Sequence, residues 1–174
     1  DSYLSRDITY DVRWDPETGS IGATVTVVLR NDAPAGGLPP YLIGNSGGRP
    51  DGTNITDLAI VTPFEATSAT VDGVETVMSP LRDDNVWRHT VRTEVPPGGE
   101  RRVVVALEGE VSPGARYRLR FSGQPLVNDD STRVVVTADG QDLVGGPGID
   151  VADGQATITL RHLGQTILTL RANS

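Results

Sequence analysis

The side chains best equipped for chemistry in this sequence are two histidines, 23 acidic residues and 15 basic ones, every one of the latter an arginine. There is no cysteine, so thiolate metal ligands, disulfides and cysteine nucleophiles are excluded. His89 lies in an alternating run beside Trp87 and Val91, and His162 precedes Leu163-Gly164. A zinc site needs three or four ligands, so both histidines plus carboxylates would have to be brought together by the fold. No His-Glu-x-x-His, Walker loop or Gly-x-Gly-x-x-Gly occurs. Ser/His/Asp triads have no fixed order in sequence, and the serines here sit mostly in turns, where local hydrogen bonding accounts for them. No catalytic residue, metal ligand or cofactor is therefore assigned.

Carboxylates cluster at Asp83-Asp84-Asn85, at Asn128-Asp129-Asp130, and at Asp51 with Asn54 and Asp57. Acidic loops can supply the six to eight oxygens of a calcium site, and two carboxylates about 5–10 Å apart could cut a glycosidic bond. None of the three has the full EF-hand spacing. The simpler account is that Asp and Asn start turns and keep the surface soluble.

Arg116, Arg118 and Arg120 alternate with Tyr117, Leu119 and Phe121. In a strand this places three guanidinium groups on one face, roughly 7 Å apart, with the apolar residues on the other. Such charges repel unless neutralised. Cross-strand Asp or Glu partners are the default expectation. The alternative is an anionic envelope polymer or partner protein held by bidentate arginine contacts. Tyr41, beside Pro39-Pro40, is the one candidate platform for stacking a sugar, against the simpler role of anchoring its loop. Trp14 and Trp87 fall within strand patterns and are expected in the core.

The elements that must position these groups are all strands. Ile8, Tyr10, Val12 and Trp14 alternate with polar residues, Asp15-Pro16 to Gly19-Ser20 breaks the run, and Ile21 to Leu29 resumes it, which reads as a hairpin. Asp72-Gly73 suits a type I′ turn. Further runs are Leu58 to Thr62, Val86 to Glu94, Arg102 to Glu108, Arg133 to Ala138, Ala156 to Leu160 and Thr166 to Leu170. No window carries helical periodicity, and about eleven strands at this turn spacing indicate a sandwich. The expected fold is all-β, an immunoglobulin-like antiparallel β-sandwich of two packed units. Residues 1–112 form the first, and 113–174 form a smaller unit packed on it or completing it, with the boundary at Ser112-Pro113-Gly114.

A chain of 174 residues can bury a core without staples. Its net charge of −8 argues against nucleic acid as a partner. No stretch approaches the ~18 apolar residues of a membrane span, so this segment does not insert directly. Because the first residue is Asp1, a membrane anchor is expected in a preceding segment.

Several stretches carry a resemblance: Tyr3 to Val12 leading into Trp14-Asp15-Pro16-Glu17-Thr18-Gly19, Leu29 to Pro34 running on to Gly37-Leu38-Pro39-Pro40-Tyr41-Leu42-Ile43-Gly44-Asn45, then Val95 to Gly99, and Tyr117-Arg118-Leu119 with Gln124 to Asn128. Over most of residues 1–128 the sequence resembles the C-terminal extracytoplasmic region of actinobacterial membrane proteins grouped as domain of unknown function 4012. The resemblance implies an extracytoplasmic location and tethering through an N-terminal membrane helix. It implies partners in the rest of the same protein and in cell-envelope polysaccharide or protein, and it brings no catalytic residues. More loosely, the first hundred residues are similar to the N-terminal β domain of gluzincin aminopeptidases, a non-catalytic platform. The expected function is a non-enzymatic structural or interaction module of the cell envelope. The alternatives are a glycan- or polymer-binding module using Tyr41, Arg116, Arg118 and Arg120, or part of a hydrolase site completed by a missing N-terminal domain.

Overall fold

The computed structural model describes residues 2–44, 48–122, 127–128, 130–160 and 165–173. Among these, fourteen strands and one helical turn form an all-β sandwich in three sheets. In chain order, the elements are β1 (Leu4–Trp14), β2 (Ser20–Asn31), α1 (Pro40–Ile43), β3 (Asn54–Thr62), β4 (Glu65–Val71), β5 (Val74–Glu75), β6 (Met78–Asp83) and β7 (Val86–Val95). They continue with β8 (Gly99–Glu110), β9 (Arg116–Phe121), β10 (Ser131–Ala138), β11 (Asp142–Gly145), β12 (Asp150–Ala152), β13 (Gln155–Leu160) and β14 (Thr166–Asn173).

One layer is an eight-stranded sheet in the order β12-β13-β10-β1-β2-β8-β4-β5. The opposing layer is split into two three-stranded sheets, β3-β7-β6 and β11-β14-β9. The long sheet runs across residue 112. Strand β10 lies parallel to β1, pairing Asp7 with Ser131 through Trp14 with Ala138, and β12 and β13 continue the long sheet from it. The chain after Pro113 thus completes the first unit and also supplies the small sheet that packs on it.

The period-two pattern decides which face is buried. Tyr10, Val12 and Trp14 on β1 sit opposite Val25, Ala23 and Ile21 on β2, and Val25 and Ala23 sit opposite Val105 and Leu107 on β8. All are buried. Fully burying such a side chain is worth about 1.5–3 kcal/mol, so this face carries the stability of the fold. Its reverse shows solvent mainly Thr, Ser and charged residues, as an antiparallel sheet packed on one side should.

Turn chemistry behaves as the sequence reading expects. Asp72 and Gly73 both take positive φ, 52° and 80°, joining β4 to β5. The β1–β2 turn is held by Asp15, whose carboxylate accepts from the backbone N–H of Glu17 and the hydroxyl of Thr18. Tyr41-Leu42-Ile43 proves to be one helical turn, led by Pro40 at its first position, where a missing N–H costs nothing.

Candidate functional site

Strand β9 is an edge strand of the small sheet β11-β14-β9. Tyr117 faces inward and is buried, its ring centroid 5.4 Å from that of Trp14 on the long sheet. Tyr117 also hydrogen-bonds Tyr10, and burial raises both phenols, Tyr10 to about 12. Leu119 and Phe121 face the same way and are half-buried. Arg116, Arg118 and Arg120 are exposed on the other face, as the alternation requires.

The neighbours of those arginines differ from the expectation. Across the ladder, Arg116 sits opposite Arg171, Arg118 opposite Thr169 and Arg120 opposite Ile167. No carboxylate occupies any of these positions, and none of the four arginines has an ion pair among the described residues. On the far side of β14, Arg171 faces Val144. The result is a cationic face whose margin carries Ile167 and Val144, 44% and 48% exposed, and on β11 the exposed Asp142, which lies diagonal to Arg171 and makes no ion pair with it. Elsewhere arginines take acidic partners: Arg13 with Asp139, Arg30 with Asp7 and Glu100, Arg92 with Asp57, Arg101 with Asp72. Arg88, Arg102 and Arg133 lack an ion pair among the described residues but are scattered on other strands.

The other candidates resolve into structural roles. Asp84, at φ 49°, makes the β6–β7 turn. Asp130 is buried and accepts from the backbone N–H and the guanidinium of Arg6, while the Asn128 amide donates to the carbonyls of Ser2 and Leu4, so these two side chains tie the start of β1 to the approach of β10. Asp129 lies outside the described residues. Asp57 pairs with Arg92 across β3 and β7. Among the described residues no group of three or more His, Asp or Glu is arranged to hold a metal ion.

His89 is buried, with Nε2 3.0 Å from the Phe64 carbonyl, and His162 lies outside the described residues. Trp87 is not in the core with Trp14. It is half-buried near the end of its sheet, stacked on His89 at 5.7 Å and covered by the Arg82 guanidinium at 5.1 Å. Tyr41 is not a packed loop anchor: it is 83% exposed, beside the exposed Leu42, on a helical turn whose only buried residue is Ile43.

Gly44-Asn45-Ser46-Gly47-Gly48 has the Gly-x-Ser-x-Gly spacing of a nucleophile elbow. An elbow needs a strand before the serine and a helix after it. Here α1 precedes and β3 follows, and Asn45 to Gly47 lie outside the described residues, so no nucleophile is assigned. The open face of the long sheet holds a shallow depression of about 400 Å³, lined by residues such as Asp11, Arg13, Gly22, Thr24, Glu108 and Thr137.

No protein-family model and no curated protein matches the chain. Among solved structures, yeast LTA4 hydrolase in complex with bestatin is similar over 99% of this chain and 28% of its own, with a TM-score of 0.57 at 9% identity. Native LTA4 hydrolase from Saccharomyces cerevisiae gives 98%, 29%, 0.55 and 8%. An M1 zinc metallopeptidase from Deinococcus radiodurans covers 97% of this chain and 42% of its own at a TM-score of 0.44 and 12% identity. The chain thus spans under a third of the length of the two LTA4 hydrolase structures, and what it shares with them is the fold.

Proposed function

We propose that this chain is a non-enzymatic interaction module of a larger, membrane-anchored cell-envelope protein, held outside the membrane, and that it contacts an anionic partner through the face of Arg116, Arg118, Arg120 and Arg171. The observation that carries this reading is the grouping of four arginines without acidic partners among the described residues, on a chain of net charge −8. Like charges roughly 7 Å apart in water repel by about 0.6 kcal/mol per pair, less in salt. The fold tolerates that cost, and a bound anion would reverse its sign. The fold supports a module as well, since it is shared over nearly the whole chain with under a third of a much larger protein.

The test is retention on an immobilised polyanion, with Arg116, Arg118 and Arg120 changed together to Ser and Arg133→Ser as the control. The triple variant should elute at clearly lower salt, because each lost contact removes released counterions. Elution at the wild-type salt concentration sinks the proposal. So does a hydrolytic activity of the larger protein that disappears on changing one Asp or Glu of this chain. A second reading, a glycan platform at Tyr41, is favoured by the exposure of that ring. It predicts glycan binding that is lost in Tyr41→Ala and kept in the arginine variant.

A further inference from the structure

The backbone of β9 adds something its side chains do not. The Ala172 N–H donates to the Ala115 carbonyl at 3.0 Å, where β14 approaches the start of β9. In an antiparallel ladder, directly opposed residues alternate between exchanging both hydrogen bonds and exchanging none. Counting on from Ala115, the residues bonded to β14 are Tyr117, Leu119 and Phe121, opposite Leu170, Leu168 and Thr166. The N–H and C=O groups of Arg116, Arg118 and Arg120 therefore point to the other edge, and among the described residues no strand pairs there. The residues that present the positive charges also present the backbone donors and acceptors of this edge.

We propose that β9 receives an acidic, strand-forming polypeptide segment along this edge, extending the three-stranded sheet to four. The proposal rests on the reading of the arginine face as an interaction surface and names its partner class. An added strand would form its hydrogen-bonded pairs opposite the three arginines, with Cα atoms about 5.5 Å apart and side chains abreast on the same face. Carboxylates at every second position of the segment would each lie beside one guanidinium. The intervening residues would point to the inner face, where Leu119 and Phe121 are half-buried, so they should be apolar. The chemistry that fits is a segment alternating Glu or Asp with Val, Ile or Leu, bound by strand addition.

Charged residues on an edge strand also protect it from unwanted pairing. That role alone predicts no affinity for a complementary strand.

Three probes separate the outcomes by calorimetry on the whole chain. One is a capped heptapeptide alternating glutamate and valine. The second is the same peptide N-methylated at its glutamate amides, which keeps the charge but cannot donate to the edge. The third is polyphosphate of equal charge. The unmodified peptide should bind most tightly, with at least about tenfold loss on N-methylation and on Arg118→Glu. A peptide with lysine in place of its central glutamate, the residue that faces position 118, should restore binding to Arg118→Glu, which also shows that the variant is folded. If the N-methylated peptide and polyphosphate bind as well as the unmodified peptide, strand addition is overturned while the anionic-partner reading stands. If none of the three binds, both are overturned.

Discussion

Removing the hydroxyl of Tyr117 should destabilise the fold through its partner more than through itself. Tyr117 is 3% exposed and Tyr10 is 7% exposed, and their hydroxyls are joined at the contact between the small sheet and the long one. Tyr117→Phe keeps the ring against Trp14 but leaves the buried Tyr10 hydroxyl without that partner. A buried polar group deprived of its bond costs about 1–3 kcal/mol, whereas removing both hydroxyls together can be nearly neutral. We expect each single Tyr→Phe change to cost about 1–2 kcal/mol and the double change to cost no more than either, a coupling of at least about 1 kcal/mol. In urea, with m near about 2 kcal/mol/M for a domain of this size, each single variant should lose about 0.5–1 M in midpoint. Tyr117→Ala, which also empties the ring's space, should cost about 3–5 kcal/mol.

The same pair sets an alkaline limit. Both phenols are raised in the folded state by burial, Tyr10 to about 12 from 10.0. Their contribution is complete below pH 10 and is lost as pH rises through the folded value, because the native state then holds protons that the unfolded chain has released. For Tyr10 alone, a rise of about two pH units corresponds to a loss on the order of 3 kcal/mol. Urea midpoints should fall between pH 10 and 12, and less steeply in the double Phe variant. Additive single costs below about 0.3 kcal/mol, or an equal alkaline fall in both proteins, would refute the coupling.

Other expectations are independent of this pair. Gly19 sits at φ +81° with a built Cβ only 2.0 Å from the Val111 carbonyl oxygen, so Gly19→Ala should cost more than about 1 kcal/mol, read as a Tm loss of about 2–4 °C or more. Asp7 is held below its usual range by the Ser131 hydroxyl and then by Arg30, so its contribution is present above about pH 4 and lost on acidification through the folded value. With the pair nearly half-exposed, Asp7→Asn should cost no more than about 1 kcal/mol at pH 7, and less at pH 3. Iodide should quench the Trp87 emission and spare Trp14, and Trp87→Phe should remove the quenchable fraction.

What the sequence makes legible follows from how local the signal is. The β1–β2 hairpin, the Asp72-Gly73 turn and the two faces of β9 are written in a period of two and in residues that accept positive φ. Strands β11 and β12 are short, and β6 is largely exposed, so no alternation marks them. The parallel pairing of β1 with β10 joins residues some 124 positions apart, which no window can contain. That is why the break at Ser112-Pro113-Gly114 is legible in the chain, while the sheet that runs across it is not. The arginine face was half legible. Its exposure follows from alternation, but Arg171, Thr169 and Ile167 as neighbours depend on the β9–β14 register. Likewise Asn31 looks like an ordinary strand-end residue, yet it is buried and donates to the carbonyls of Gly52 and Val95, holding two loops at once.

The register also bears on what kind of anion the face suits. The inward residues of β9 fix the spacing of the outward ones: Tyr117 is locked between Trp14 and Tyr10, so Arg116 and Arg118 are carried at the two ends of a rigid residue. Cations held at a two-residue strand spacing of roughly 7 Å match the repeat of an extended polypeptide without adjustment. A polymer with another repeat would have to bend, or use one arginine at a time. Holding the backbone in place before binding lowers the ordering cost that exposed arginines otherwise impose. The free edge then adds directional bonds that a simple polyanion cannot make. Charge brings any anion to this face, and the N–H and C=O groups of the same three arginines, which no strand pairs among the described residues, favour one that is itself a strand.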